Sequence, residues 1–392
     1  MRLAFYAPMK PPGHPTPSGD RRMARLLVRA LEEAGHEVEL ASEFRSREPA
    51  GNPARQSAIA HEAGREAARL IAAYAALPPA GRPKAWFTYH VYYKAPDWIG
   101  PRVAAALSIP YFLAEASLAP KRAGGPWAIG HEATLAAIDA ADRLFVINPA
   151  DRPCLLEAAS DPARLVDLPA FLDTGPYSQA ATGRAAHRRQ LGERHAIAAG
   201  PPWLLAVAMM RPGDKLASYR IMGQSLMILR KRDWHLLVVG DGPAASDVRA
   251  ALAPLGAERV SYLGYVSEAE LPAHYAAADL LFWPAVNEAY GMALLEAQAA
   301  GLPVVAGASG GVPAIVDQGV TGLLAPPGDP RGFAEALAAL IDQPARRAAM
   351  SAAALDRTKR RHHIAGASRI LGEVLDSVVG APSKAQRRTV AG

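Results

Sequence analysis

The sequence predicts two α/β domains, each a doubly wound parallel sheet with helices on both faces. Three observations predict it. The 392 residues are long for one domain and comfortable for two. Apolar runs of strand length alternate with longer helical patterns in both halves, the rhythm of repeated βαβ units. Those runs are continuous instead of alternating, as strands covered on both faces require.

Residues 2–7 form the first strand, an apolar stretch too brief for a secretory leader. Lys10–Asp20 is a Pro- and Gly-rich loop. A helix follows over 20–34, with Met23, Leu26, Leu27, Ala30 and Leu31 on one face. Gly35 stops it, and Glu37–Ala41 begins the next strand. Strand, glycine loop, helix, strand is the opening of a doubly wound sheet. An Ala/Arg-rich helix covers 55–77, and Ala85–His90, Pro110–Ala114 and Arg143–Ile147 read as buried strands of a first domain over 1–170. Trp203–Ala208, His235–Val239, Val260–Leu263, Leu280–Trp283 and Pro303–Ala306 are the strands of a second domain over 190–355. One long helical stretch runs over about 345–379, and the final dozen residues read as frayed. No period of 20–50 residues recurs.

Composition narrows the function classes. Half the residues are hydrophobic and 20% charged, which allows ample core, and no apolar run is long enough for a transmembrane helix. Cys154 is the single cysteine, so no internal disulfide forms; this fits a reducing cytoplasm, and the thiol reads as inert. Lys and Arg number 43 against 37 Asp and Glu, a net charge of +6 that suits anionic partners: a nucleoside diphosphate, a phosphorylated acceptor or an acidic membrane surface. No nucleic-acid reader motif is present. The basic clusters Arg230–Arg232, Lys359–Arg361 and Lys384–Arg388 read as solvated faces.

The most informative stretch is Asn287–Gly301, in which Glu288 and Glu296 stand eight residues apart. On a helix that spacing places both carboxylates on one face, about 12 Å apart along the axis. This is too far for one acid/base pair on one bond and fits two ends of an elongated ligand. Gly291 opens the helix, where unpaired amides and the helix dipole favour a phosphate. A bare pair of glutamates at this spacing would read as a solvated helix face. The flanks, Ala277–Pro284 before and Gly301–Ala306 after, reverse that reading.

With these flanks the stretch resembles the donor-site signature of retaining nucleotide-sugar glycosyltransferases of the family-four type. Their architecture, GT-B, has two Rossmann-like domains facing a central cleft. The resemblance implies that Glu288 touches the transferred sugar and Glu296 the ribose hydroxyls. It also implies that Ala289, Tyr290, Gly291, Met292 and Ala293 carry the donor-binding turn between them. Leu168–Tyr177 resembles the family's crossing between domains, and the helix at about 360–380 would return to brace the first domain.

Other residues follow from the same resemblance. Arg211 and Lys215, just past a strand, match a diphosphate clamp, in which arginine forks across two oxygens and lysine adds a point charge. In isolation they would be two surface cations. Gly19, in Pro17–Asp20, and the loop Gly307–Gly311 could complete a phosphate cradle. Gly240–Gly242 reads as structural. The base is expected near Gly264–Val266, although Tyr265 could equally be core. Where many relatives carry a histidine after the fourth strand, this chain has Glu115. That carboxylate could stabilise developing positive charge or receive the acceptor proton, or it could simply pair with Lys121 or Arg122. His90 and His131 are rival candidates, and Tyr89–Tyr93 reads mostly as packing with some chance of lining the acceptor cleft.

The expectation is therefore a metal-independent, retaining glycosyltransferase with a nucleotide sugar as co-substrate and no other cofactor. The acceptor, whether glycan, lipid or small molecule, is not specified. Arg21, Arg22, Arg25 and Arg29 on the first helix permit a cytoplasmic protein in peripheral contact with an anionic membrane, and equally a soluble acceptor. Two rivals stand: a donor-binding protein without turnover, which Glu115 in the usual histidine position supports, and an epimerase of the same architecture, which would need further acid/base groups.

Overall fold

The computed structural model describes residues 1–16, 18–159 and 161–379, so Pro17 and the basic tail Lys384–Arg388 lie outside the described residues. The chain divides into two compact units, residues 1–169 with the segment from Ile364 onward, and residues 170–363.

The first unit is built on six parallel strands: β1 (Arg2–Tyr6), β2 (Glu37–Ser42), β3 (Ala85–Val91), β4 (Tyr111–Ala116), β5 (Arg143–Val146) and β6 (Leu165–Asp167). Their spatial order is β2-β1-β3-β4-β5-β6. Leu3 faces Val38 on one side and Ala85 on the other, which sets the register of the central strands. Phe5, Phe87 and Phe145 stack in sequence at 5.9 and 5.8 Å between ring centres, all of them buried. The buried Asp97 is fully engaged, accepting from the Thr88 hydroxyl, the Tyr111 hydroxyl and the amides of Ile99 and Gly100. A carboxylate held by four donors inside a core is a brace and not a reactive group.

The second unit repeats the architecture with β7 (Trp203–Val207), β8 (His235–Val239), β9 (Val260–Gly264), β10 (Leu280–Trp283), β11 (Val304–Gly307) and β12 (Gly322–Ala325). The order is β12-β11-β10-β7-β8-β9. Asp279 ties its base together, accepting from Arg184 at 2.7 Å, Arg188 at 2.8 Å and the Trp203 amide at 2.7 Å.

Both orders contain a point at which consecutive connections leave in opposite directions: between β1 and β3 in the first sheet, and between β7 and β10 in the second. Loops diverge there at the carboxyl ends of the strands and open a crevice, the place where such sheets bind ligands.

Three expectations change. The edge strands β6 and β12 were not anticipated. At β12, Gly322 permits pairing because a Cβ there would lie 2.2 Å from the Val304 carbonyl oxygen. The helical stretch over 345–379 is two helices, Pro344–Arg361 and Ile364–Val378. They part at His362, whose buried ring bonds through Nδ1 to the Ala170 carbonyl at 2.6 Å. The second of them packs in the first unit beside the helix Gly19–Glu33, with Gly372 against Ala34. Finally, Glu288 is not on a helix, since the helix after β10 begins at Met292. Among the described residues no helix is long and apolar enough to cross a membrane.

Candidate active site

In the second unit the loops after β7 and β10 flank the switch point and are bonded to each other. Lys215 lies in the first turn of the helix Asp214–Ile228, which follows β7. Its Nζ meets Glu288 Oε2 at 2.5 Å, and Glu288 lies in the turn after β10. The indole N–H of Trp283 also reaches Glu288 Oε2, at 3.3 Å, and the Lys215 ammonium stands 5.3 Å from the Trp283 ring. Two further bonds join the same segments: the Asn287 side chain donates to Asp214 at 3.0 Å, and the Val286 amide donates to the Ser218 hydroxyl at 3.1 Å. The ion pair is thus held by a prebuilt frame.

Neither helix at this crevice carries a side-chain cap at its N-terminus: Gly213 precedes one and Gly291, at φ +75°, the other. First-turn amides without a side-chain acceptor, at the positive end of the helix dipole, are donors of the kind that suit an anion. Met292 and Ala293 open the second helix there, and Arg211 precedes the first. Four residues into the helix Met292–Ala299, Glu296 is buried, 4% exposed, and its Oε2 accepts from the Tyr275 hydroxyl at 2.8 Å.

The glycine loops have definable tasks. Gly310, at φ +53°, lies so close to the Glu288 carbonyl that a Cβ would approach it to 2.1 Å, while the Gly311 amide donates to the Ala289 carbonyl at 3.0 Å. This loop therefore supports the backbone of the Glu288 turn. Gly240 and Gly242 back the segment Ala208–Met210 in the same way, as the structural reading expects. Tyr265 is not core: it is 69% exposed after β9, and β8 separates that strand from β7 at the switch point.

In the first unit, the switch point between β1 and β3 gathers Asp20, His90 and Glu115. Asp20 lies in the first turn of the helix after β1, and Gly19 beside it faces open space. His90 Nδ1 stands 3.3 Å from Asp20 Oδ1 and 3.7 Å from Glu115 Oε1. Burial alone pulls the imidazolium down, but the Glu115 and Asp20 carboxylates outweigh it and raise its pKa to about 9. Burial pushes Asp20 up, and the His90 contact overcomes this and leaves Asp20 below its ordinary value. At neutral pH His90 is therefore a cation, unsuited to accept a proton.

Residues treated as rivals in the sequence are thus neighbours. Glu115 faces His90, and among the described residues neither Lys121 nor Arg122 forms an ion pair with it. His131 is buried in the helix Ala128–Ala140 and has no ion pair or hydrogen bond with this cluster among the described residues. Sequence reasoning missed Asp20 as a partner of His90, Trp283 and Asn287 as supports of Glu288, and Tyr275 as the partner of Glu296. Only the positions of Asp20, in the first turn of the helix after β1, and Trp283, at the end of β10, each beside a switch point, could have flagged them.

Residues 201–343 match the family profile of Glycosyl transferases group 1. The D-inositol 3-phosphate glycosyltransferase of Kineococcus radiotolerans is 38% identical over 242 residues, which are 57% of this chain and 54% of that protein. The GDP-mannose-dependent alpha-(1-6)-phosphatidylinositol monomannoside mannosyltransferase of Mycolicibacterium smegmatis is 32% identical over 225 residues, 54% of this chain and 56% of that protein. The chain spans about half the length of these curated relatives. The crystal structure of Anabaena HepE in complex with UDP-glucose superposes with a TM-score of 0.70 at 16% identity, covering 96% of this chain and 100% of that one. That likeness concerns the fold of two Rossmann-like units. Over residues 201–343, which hold the Lys215–Glu288 pair, the chain is similar to the group 1 glycosyltransferases.

Proposed function

We propose that the chain is a retaining, metal-independent glycosyltransferase that moves a sugar from a nucleoside-diphosphate donor to a hydroxyl acceptor. The observation that carries this reading is the Lys215–Glu288 ion pair across the switch point of the second sheet, beside an uncapped helix N-terminus. Breaking the bond between the anomeric carbon and the phosphate oxygen leaves negative charge on the diphosphate and positive charge on the sugar. The pair offers one charge to each side of that bond. Lys215 and Arg211, with the first-turn amides of Met292 and Ala293, stabilise the departing diphosphate; Glu288 orients the sugar and stabilises its developing charge. Glu296, oriented by Tyr275, holds the ribose hydroxyls. The acceptor oxygen attacks on the face the diphosphate leaves, and its proton passes to the leaving phosphate oxygen.

One relative is named for GDP-mannose and one fold neighbour holds UDP-glucose, so uracil and guanine donors are the first to test. The experiment is a thermal-shift series with UDP, GDP, ADP and their sugars, with and without magnesium. Stabilisation by one nucleotide, unchanged by magnesium and lost in Glu296→Ala, supports the reading. No response to any nucleotide overturns it. Release of nucleoside diphosphate in the presence of acceptors then separates an enzyme from a donor-binding protein.

A further inference from the structure

The two ring nitrogens of His90 have different surroundings. Nδ1 is shielded from water and faces the Asp20 and Glu115 carboxylates at 3.3 and 3.7 Å. The side chain is 17% exposed, and that exposure includes Nε2, which has no hydrogen-bond partner among the described residues. Two aromatic rings pack against the imidazole, Tyr89 at 5.6 Å and Tyr92 at 5.3 Å between centres. The ring is thus fixed by its neighbours, with one nitrogen turned inward and the other open at the switch point of the first sheet.

The carboxylates decide which nitrogen keeps its proton. A proton on Nδ1 faces two of them, so Nδ1–H persists in the neutral ring, and the proton lost as the pH rises is the one on Nε2. His90 therefore carries an open N–H donor below about 9 and an open lone pair above it. Asp20 is the nearer carboxylate, and Glu115 at 3.7 Å lies beyond hydrogen-bond distance, so the direction of Nδ1 depends on Asp20. Asp20 is itself anchored, because Ser18 caps its helix by accepting from the Arg21 amide at 3.2 Å.

The charges that reach this ring come from three segments. Asp20 approaches from the helix after β1, Glu115 from the end of β4 and Asp151 from the segment after β5. The neighbouring phenols are neutral, since burial raises both Tyr89 and Tyr92. Lys10 acts on Asp20 and Arg47 on Tyr92, each one side chain removed from the imidazolium. An anion bound at Nε2 would therefore meet carboxylates, which repel it. A neutral hydroxyl oxygen meets no such repulsion, and a charged N–H donor binds it more strongly than a neutral one.

We propose that His90 donates its Nε2–H to a hydroxyl of the sugar or polyol substrate, and that Asp20, without touching substrate, is the positioning residue that holds the ring in this direction. The hydroxyl accepts a charge-assisted hydrogen bond and transfers no proton to His90, whose open nitrogen is already protonated at neutral pH. The part this contact plays in turnover rests on the glycosyltransferase reading; the contact itself and the task of Asp20 do not.

The test is NMR of the full chain with isotope-labelled histidine. The His90 resonance, assigned by its loss in His90→Gln, is followed against pH and on titration with myo-inositol, UDP-glucose and GDP-mannose. In the wild type it titrates at about 9 and shifts saturably at neutral pH with at least one of these compounds. Asp20→Asn, which keeps the shape and loses the charge, lowers the titration by about one pH unit or more, and Asp20→Glu restores it. Asp167→Asn, which removes an exposed carboxylate paired with Arg152, changes neither quantity. A response to myo-inositol assigns the hydroxyl to the acceptor; a response to the nucleotide sugars alone assigns it to the transferred sugar. In nucleotide-release assays kcat/KM falls as the pH rises through 9, and in Asp20→Asn this limb moves down together with the titration. A merely structural Asp20 would instead lower the rate equally at every pH. A resonance that none of the three compounds moves, or a titration indifferent to Asp20→Asn, overturns the proposal. Nucleotide stabilisation of the same variants reports the donor site separately: its absence beside an intact His90 response sinks the glycosyltransferase reading and leaves the hydroxyl contact standing.

Discussion

Lys215 and Glu288 respond in opposite directions to neutralisation if the pair spans a sugar–phosphate bond. In the free protein the ammonium meets the carboxylate at 2.5 Å, and among the described residues the Trp283 N–H is the one further donor on that oxygen. A diphosphate that enters must share Lys215 with Glu288. Lys215→Met removes a charge-assisted contact of about 1.5–3 kcal/mol, so nucleoside-diphosphate affinity falls roughly 10- to 150-fold. Glu288→Gln removes a repelling charge close to the phosphates. Two unit charges about 6 Å apart interact by about 3 kcal/mol at an effective dielectric constant of 20, and solvent and Lys215 screen most of that. The product diphosphate should therefore bind Glu288→Gln two- to tenfold more tightly than wild type, while sugar transfer falls by about a hundredfold or more. Calorimetry with the nucleoside diphosphate measures the first quantity and nucleotide release the second. Weaker binding of the diphosphate to Glu288→Gln, or undiminished binding to Lys215→Met, would refute the placement of phosphate on the lysine side.

Three other outcomes are expected. Asp279→Ala leaves Arg184, Arg188 and the Trp203 amide without their shared acceptor and should cost the second unit about 3 kcal/mol in urea unfolding, whereas Asp279→Asn costs less. Gly310→Ala forces a methyl against the Glu288 carbonyl at a left-handed residue; it should lower nucleotide affinity at least tenfold while circular dichroism stays unchanged. His90 titrates at about 9, above its ordinary 6.5, so its contribution is complete below pH 6.5 and disappears as the pH rises through 9. That window corresponds to about 3 kcal/mol for the first unit, and His90→Gln should flatten the dependence of its unfolding midpoint on pH between 6.5 and 9.5.

The strands of both sheets were legible because strands covered on both faces carry continuous apolar runs, and β8 and β10 coincide with the expected segments. The edge strands were not, since Leu165–Asp167 is three residues long and Gly322–Ala325 opens on a glycine. Spacing also misled at Glu288: eight residues suggest two helical turns, but Gly291 in the left-handed region ends the incoming turn, and the helix begins at Met292, four residues after Glu288. His362 and His363 are ordinary helix residues by propensity, yet both lie in the break between the two helices, where the buried His362 ring bonds the Ala170 carbonyl, a long-range contact that no local pattern encodes. The Asp20–His90–Glu115 cluster joins positions 70 and 25 residues apart, and only the strand order β1-β3-β4 makes them neighbours.

Backbone conformation marks the same places independently. Among the described residues, the non-glycine positions with positive φ are His90, Ser108, Glu115, Ala196, Ala285 and Asn287. Ser108 and Ala196 end helices in the left-handed conformation, an ordinary C-cap. The other four lie at the carboxyl ends of β3 and β4 and in the loop after β10, the segments that present His90, Glu115 and Glu288. Asparagine and histidine visit this region more readily than most residues, whereas glutamate and alanine pay about 1–2 kcal/mol each. Glycine would relieve that strain but would delete the imidazole and the carboxylate that form the cluster. A strand that continued straight would alternate its side chains across the two helix-covered faces of the sheet; a left-handed residue at the strand end turns the chain out of that alternation. The strain is confined to the crevice segments because there the direction of a side chain counts for more than the comfort of its backbone.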